Sequence, residues 1–109
     1  MLIHTGRSIP RFDERWDPDD TDIVWVAWDD VSNGSAITAS VWTVPTGWTI
    51  TTQYTSQSVT TDDGTSYTQC NGILVSTTET SGTYTLANRT TFADGRIIER
   101  SVRVIVETL

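Results

Sequence analysis

The strongest constraint on the fold is a pair of alternating runs near the C-terminal end of the chain. Residues 83–92 place apolar and polar side chains alternately, and residues 96–107 repeat this two-residue period. Such alternation is typical of a strand with one buried face. Asp94 and Gly95 lie between the two runs and favour the turn of a β-hairpin. The sequence therefore predicts an antiparallel hairpin here and points to β-structure in the rest of the chain.

Further strand patterns recur along the chain at intervals of about ten residues. Residues 35–54 alternate on both sides of Pro45 and Gly47, which favour a tight turn between two strands. Residues 23–28 form a run of six apolar residues, so that both faces of this strand are apolar. A strand of this kind is covered on both sides, either within a sandwich or by another subunit.

These patterns together predict an all-β fold, an antiparallel immunoglobulin-like β-sandwich of six or seven strands. No segment has the apolar spacing of an amphipathic helix. We place the sandwich at residues 22–109. Residues 1–21 have no sustained period and mix charged residues with two prolines, so we predict an extended N-terminal arm.

The charge and hydropathy of the chain exclude two classes of partner. The chain has no Lys, and seven Arg stand against 14 acidic residues, which gives a net charge of −7. Such a surface repels phosphate backbones, so we expect no nucleic-acid partner. The six-residue apolar run is far shorter than a membrane helix, and no signal peptide is evident. We therefore expect no membrane association.

The residues that could support catalysis or metal binding are few. His4 is the only histidine and Cys70 the only cysteine, which leaves no pair for nucleophilic catalysis and too few ligands for zinc. We interpret Cys70 as a small buried side chain. The acidic segment 17–22 lacks the glycine and glutamate of an EF-hand loop and is interrupted by Pro18. We predict no enzymatic activity, no cofactor and no metal site.

Two pairs of adjacent carboxylates are candidates for the paired acids of a glycosidase. Asp29 and Asp30 would point to opposite faces of a strand, whereas Asp62 and Asp63 occupy a turn signal. Neither pair indicates a catalytic cleft.

Aromatic residues supply the candidates for partner binding. Trp16 and Phe12 lie in the polar N-terminal segment, which is either disordered or packed on its own domain, or else docks into a partner. The alternation does not assign Trp28 and Trp42 to the core or to the outside, and either could stack on a sugar ring as in carbohydrate-binding modules. The predicted partner-binding residues are Arg11, Phe12, Arg15, Trp16, Trp28 and Trp42.

Several motifs, taken in order, resemble a family of bacteriophage virion proteins, the small immunoglobulin-like fiber-tail adaptor proteins. They are the acidic segment 17–22, Trp28 with Asp29, and the segments 37–47, 81–86 and 94–101. The resemblance implies a structural protein of the tail or neck that links the tail tube to fibers or other appendages.

The resemblance also implies the setting of the protein. It would be made in the host cytoplasm, would form a homo-oligomeric ring in the virion and would contact tail tube, neck or fiber proteins. The family offers no catalytic residues. A carbohydrate-binding module and a capsid decoration protein are the alternative functions.

Overall fold

The computed structural model describes residues 2–5, 11–61 and 64–107, with residues 2–5 and 11–14 described through their backbone. These residues form eight strands and one short helix. In chain order the elements are β1 (Leu2–Thr5), β2 (Arg11–Trp16), β3 (Thr21–Ala27), α1 (Asp29–Ser32), β4 (Ile37–Thr43), β5 (Trp48–Thr60), β6 (Ser66–Thr77), β7 (Gly82–Phe92) and β8 (Ile97–Val106). No helix in this part of the chain is long and apolar enough to cross a membrane.

The strands form two four-stranded sheets. The first sheet has the order β1-β3-β6-β5, and the second has the order β2-β8-β7-β4. Neighbouring strands run antiparallel except for β1 beside β3 and β2 beside β8, which are parallel. This arrangement confirms the predicted all-β sandwich, and eight strands are described where six or seven were predicted.

The inner faces of the two sheets enclose one main core. Its buried members alternate along the strands with outward-facing residues, as a two-residue period requires. They are Trp16, Val24, Val26, Trp28, Ile37, Trp42, Trp48, Ile73, Val75, Leu86, Phe92, Val102, Val104 and Val106. Both sheets contribute to this set, so the core lies between them.

The predicted C-terminal hairpin is confirmed as β7 and β8. The two strands pair in unbroken register from Gly82 opposite Val106 to Thr91 opposite Ile97. The backbone N–H of Gly95 donates to the carbonyl of Phe92 at 3.0 Å and closes the turn.

Residues 35–54 do contain two strands, but β4 and β5 belong to different sheets. The turn at Pro45 therefore carries the chain across the sandwich. Gly47 has a φ of 92°, and a Cβ there would lie 2.4 Å from a carboxylate oxygen of Glu79. The Gly47 carbonyl accepts hydrogen bonds from the Thr77 hydroxyl at 3.0 Å and the Thr78 N–H at 2.9 Å. These contacts attach the connection between β4 and β5 to the end of β6.

The N-terminal segment, predicted to be an extended arm, contributes two strands. Strand β1 lies beside β3, and β2 lies beside β8, so both are edge strands of the sandwich. Arg11 pairs with Ser101 and Trp16 with Val106. The backbone of residues 11–16 thus adds a strand to the second sheet ahead of residue 22. The strand was missed because edge strands carry many charged residues, which hide the apolar period.

Strand β3 is covered on both sides by its own chain, as its apolar run predicted. Val24 and Val26 face the main core, whereas Trp25 and Ala27 join Val59 and Cys70 in a second buried cluster on the outside of the first sheet. We call this cluster the closed face. Tyr54 covers it from β5, with its ring 5.1 Å from that of Trp25.

Gly72 makes the closed face possible. It pairs with Trp25 across β3 and β6, and a Cβ at this position would lie 2.6 Å from the indole and 2.7 Å from the Val24 carbonyl. The indole can lie flat on the sheet because residue 72 has no side chain.

Candidate partner-binding face

The three tryptophans predicted to bind a partner lie in the core instead. Trp16 and Trp28 are 1% and 0% exposed, and Trp42 is 7% exposed. The ring of Trp16 meets that of Trp48 edge to face at 5.7 Å, and Trp28 meets Phe92 at 5.8 Å. Their ring faces are therefore not available to a protein or a sugar. The structure thus corrects the prediction for all three residues. A small sandwich gains stability from an indole that is buried and not from one that is exposed.

A β-bulge explains the position of Trp42. Ile37 pairs with Phe92, but Ala39 pairs with the next residue along, Thr91, so one extra residue is inserted at position 38. The bulge reverses the alternation between Ile37 and the rest of β4. Ile37 and Trp42 consequently both face the core, whereas strict alternation over residues 37–42 would place them on opposite faces.

The arginine candidates divide between described and undescribed side chains. Arg15 is exposed, with 68% of its side chain accessible, and forms an ion pair with Glu107. The side chains of Arg11 and Phe12 lie outside the described residues. The backbone register places Arg11 beside Ser101 and Phe12 beside Val102 at the edge of the second sheet.

An exposed surface is present on the outside of the second sheet. Val41 on β4 and Ile97 on β8 are 58% and 51% exposed, and they are the large exposed hydrophobic residues of the described chain. We call the outward side of β4, β7 and β8 the open face. The outward-facing residues of β7, the strand between β4 and β8, are small or polar. They are Thr83, Thr85, Ala87, Arg89 and Thr91.

A shallow depression lies at the centre of the open face. It is lined by Val41, Thr43, Ala87, Asn88, Arg89 and Glu99. Arg89 and Glu99 are directly opposite each other in the register of β7 and β8. Neither side chain forms an ion pair with another described residue. The depression thus presents one cation and one anion beside exposed aliphatic surface.

These residues carried no signal in the sequence. Arg89 and Glu99 are ten residues apart, and their juxtaposition depends on the hairpin register. Knowing the turn length and pairing of β7 and β8 would have been sufficient to find them.

A buried polar chain supports the open face from below. The Asn88 side-chain amide donates to the Ser40 hydroxyl at 2.9 Å, the Thr90 hydroxyl donates to Asn88 Oδ1 at 2.5 Å, and the Asn71 amide donates to the Thr90 hydroxyl at 2.6 Å. Asn71 lies in the first sheet and Thr90 in the second, so the chain of hydrogen bonds crosses the core. Buried networks of this kind fix one relative position of the packed layers.

Cys70 is a buried structural residue. Burial raises the pKa of the Cys70 thiol to about 12, and the charge of Asp29 adds to this rise. The thiol is therefore protonated at neutral pH and unreactive, in agreement with its predicted burial. Among the described residues, no three His, Cys, Asp or Glu side chains converge to hold a metal ion.

Asp29 fastens α1 to β6. Its carboxylate accepts hydrogen bonds from the Thr68 N–H, the Thr68 hydroxyl and the Gln69 N–H, each at 2.9 Å. Burial acts to raise the pKa of Asp29, but these hydrogen bonds outweigh it and hold the pKa below its ordinary value.

Comparison with known proteins identifies the fold and leaves the family open. No protein-family model matches the chain, and no curated protein matches it significantly. The cysteine protease inhibitor EhICP2 from Entamoeba histolytica superposes with a TM-score of 0.55 at 14% identity, over 97% of this chain and 96% of that one. That likeness supports the sandwich fold, and at this identity it carries no function.

Two further solved structures share weaker likenesses. A 2,6-sialyltransferase from Photobacterium sp. JT-ISH-224 superposes with a TM-score of 0.46 at 18% identity, over 94% of this chain and 19% of the enzyme. Protocadherin gamma C5 superposes with a TM-score of 0.47 at 11% identity, over 91% of this chain and 32% of the cadherin fragment. Both values are too low to support an argument about this protein.

Proposed function

We propose that this protein is a non-enzymatic structural component of a bacteriophage virion, an immunoglobulin-like adaptor of the tail or neck that links the tail tube to fibers or other appendages. The observation that carries the proposal is the order and spacing of the sequence motifs between residues 17 and 101 that resemble the fiber-tail adaptor proteins. It acts by surface contact in a homo-oligomeric ring and binds other virion proteins.

The strand order supports the immunoglobulin-like part of this proposal. If β3 to β8 are equated with strands B to G of an immunoglobulin domain, the first sheet has the A-B-E-D order and the second contains G-F-C. The strand equivalent to C carries the buried Trp42, at the place where antibody domains bury a tryptophan.

A tyrosine at the start of β7 gives independent support. The hydroxyl of Tyr84 lies 2.8 Å from the Ser81 carbonyl and 3.0 Å from a carboxylate oxygen of Glu79. A tyrosine at the start of strand F that bonds back to the preceding backbone is a hallmark of immunoglobulin-like sandwiches. Leu86 follows two residues later in the core, where antibody domains have a disulfide-bonded cysteine.

The open face supports a role in contact with proteins. A component of an assembly is held in place by apolar and charged surface, and Val41, Ile97, Arg89 and Glu99 supply both on one rigid sheet. We propose this face, rather than the buried tryptophans, as a contact surface of the adaptor.

The carbohydrate-binding alternative loses its stacking platform. Stacking on a sugar requires an exposed aromatic face, and both rings assigned to it, Trp28 and Trp42, are buried. A capsid decoration protein differs from an adaptor only in its location on the particle, so the two are separated by the same experiment.

The test is to locate the protein in purified particles by cryo-electron microscopy with an antibody or tag label. The proposal expects several copies arranged around the tail axis. Density on the capsid shell would favour the decoration protein, and absence from the particle would refute both.

A matched pair of variants connects the open face to assembly. Val41→Asp with Ile97→Asp adds two charges to this face, and we expect the folded protein to be lost from particles. Thr49→Asp with Gln53→Asp adds the same charge to exposed positions on β5 and should leave incorporation unchanged. Equal incorporation of both variants would show that the open face is not a contact surface.

A further inference from the structure

The open face has a feature that suits a second copy of the same chain. Arg89 and Glu99 are opposite in register on β7 and β8, line one depression and lack an ionic partner among the described residues. A surface that carries one cation beside one anion is complementary to itself after a two-fold rotation. Each arginine would then meet the other copy's glutamate.

We propose that two copies of this chain pack open face to open face around a two-fold axis that runs parallel to the strands, between β7 and β8. Arg89 of each copy pairs with Glu99 of the other. The same rotation places Ile97 over Thr91 of the second copy, because these two residues are also opposite in register. Val41 is carried to the β2 edge of the second copy.

The charge of this face permits self-association although the whole chain carries a net charge of −7. The outward positions of β7 and β8 carry Arg89, Arg103 and Glu99, so the face lacks the acidic excess of the rest of the molecule. Two copies approaching in another orientation repel each other, whereas approach through this face brings opposite charges together.

The size of the face is sufficient for a modest interface. Three strands about 4.8 Å apart and roughly 30 Å long give a flat area on the order of 400 Å², and side chains enlarge the accessible surface beyond it. Standard interfaces bury about 800 Å² on each partner, so we expect a reversible dimer at the low end of that class.

This inference rests on the proposed function in one respect, that the open face is a contact surface, and it names the partner. The strand edges and both ends of the sandwich stay accessible to other virion proteins. Its test uses purified protein in solution, so its failure is distinguishable from failure to find the protein in a particle.

The experiment is a charge swap followed by sedimentation equilibrium across a concentration series. Arg89→Glu and Glu99→Arg each place like charges opposite one another across the interface. We expect the dimer dissociation constant of either variant alone to be at least roughly ten-fold higher than that of the unmodified chain. An equimolar mixture of the two variants should restore dimers, because both reciprocal pairs are then complementary. The double variant Arg89→Glu with Glu99→Arg should also dimerise.

Both substituted residues are exposed, so each variant should keep the circular dichroism spectrum of the unmodified chain, which shows that it is folded. A monomeric unmodified chain at every concentration would overturn the proposal. Dimers unaffected by either single swap, or single variants that fail to dimerise when mixed, would overturn it as well. A larger ring that neither swap weakens would show that copies meet through another surface.

Discussion

The two outer faces of the sandwich differ in how they are covered. The closed face of the first sheet buries Trp25 to 3% exposure beneath side chains of its own chain, whereas the open face of the second sheet leaves Val41 58% exposed. Both faces belong to four-stranded sheets. The difference arises because Tyr54 and Val59 of β5 pack against Trp25 and Cys70 on the outside of the first sheet, whereas the outward positions of β7 in the second sheet are small or polar.

This contrast separates residues that serve stability from residues that are free to serve contact. An apolar side chain on the closed face already contributes burial free energy within the monomer. An apolar side chain on the open face contributes it only when something else covers the sheet. Substitutions should therefore affect folding on one face and association on the other.

The largest expected effect follows from removing the centre of the closed face. Trp25→Ala should reduce the free energy of unfolding by about 3–5 kcal/mol, the range for a buried aromatic side chain. Urea denaturation followed by circular dichroism measures it. The matched control is Val41→Ala on the open face, which should change stability by less than about 0.5 kcal/mol. Similar losses for both variants would refute the distinction between the faces.

The next effect concerns the attachment of β6 at the border of the closed face. Asp29→Asn should reduce the free energy of unfolding at neutral pH by roughly 1–3 kcal/mol, since it weakens three hydrogen bonds to a charged acceptor. The exposed neighbour variant Asp30→Asn is the control and should have little effect.

The lowered pKa of Asp29 also predicts how its contribution to the free energy of unfolding depends on pH. The pKa of Asp29 is lower in the folded chain than its ordinary value, so the folded state binds fewer protons than the unfolded state. The stabilisation is complete above the ordinary carboxyl pKa of about 4 and disappears as the pH falls through the lowered folded value. The difference between the unmodified chain and Asp29→Asn should shrink over that interval. A difference in the free energy of unfolding that stays constant with pH would contradict a stabilising role for the ionised Asp29 carboxylate.

An effect of similar size is expected where the indole of Trp25 lies against Gly72. Gly72→Ala should destabilise the fold by about 1–3 kcal/mol, because the added methyl group collides with Trp25 and with the Val24 carbonyl. In a Trp25→Ala background the cost should fall, leaving the part due to the carbonyl. A double-mutant cycle by urea denaturation measures this coupling. Strictly additive losses would show that glycine is required here for another reason.

Local patterns predicted much of the fold. The C-terminal hairpin follows from two alternating runs and an Asp-Gly turn, and the coverage of β3 on both sides follows from its unbroken apolar run. Both features are set within one or two neighbouring strands, so a single sequence contains them. The assignment of β4 and β5 to different sheets depends on packing across the core. It could not be read from the turn residues alone.

The candidate site was predicted less well, for two physical reasons. The bulge at residue 38 reverses the alternation of β4, which turns Trp42 inward and Val41 outward without any marker such as glycine. Arg89 and Glu99 become neighbours only through pairing register. Trp16 was misplaced because parallel pairing with β8 makes an edge strand of a segment whose composition is typical of an unstructured arm.

The smallest effect on folding is expected on the open face and gives the sharpest contrast. Val41→Ser with Ile97→Ser removes aliphatic surface that the isolated chain leaves exposed, so each change should alter the free energy of unfolding by less than about 0.5 kcal/mol. The same double variant should weaken self-association, because this aliphatic surface is buried only in the dimer. Sedimentation equilibrium measures self-association, and urea denaturation at a concentration where the chain is monomeric measures folding stability. Thr49→Ser with Gln53→Ser on β5 should change neither.

A loss of folding stability in the Val41 and Ile97 variant would mean that the open face is covered within the monomer, which would remove the contrast between the two faces.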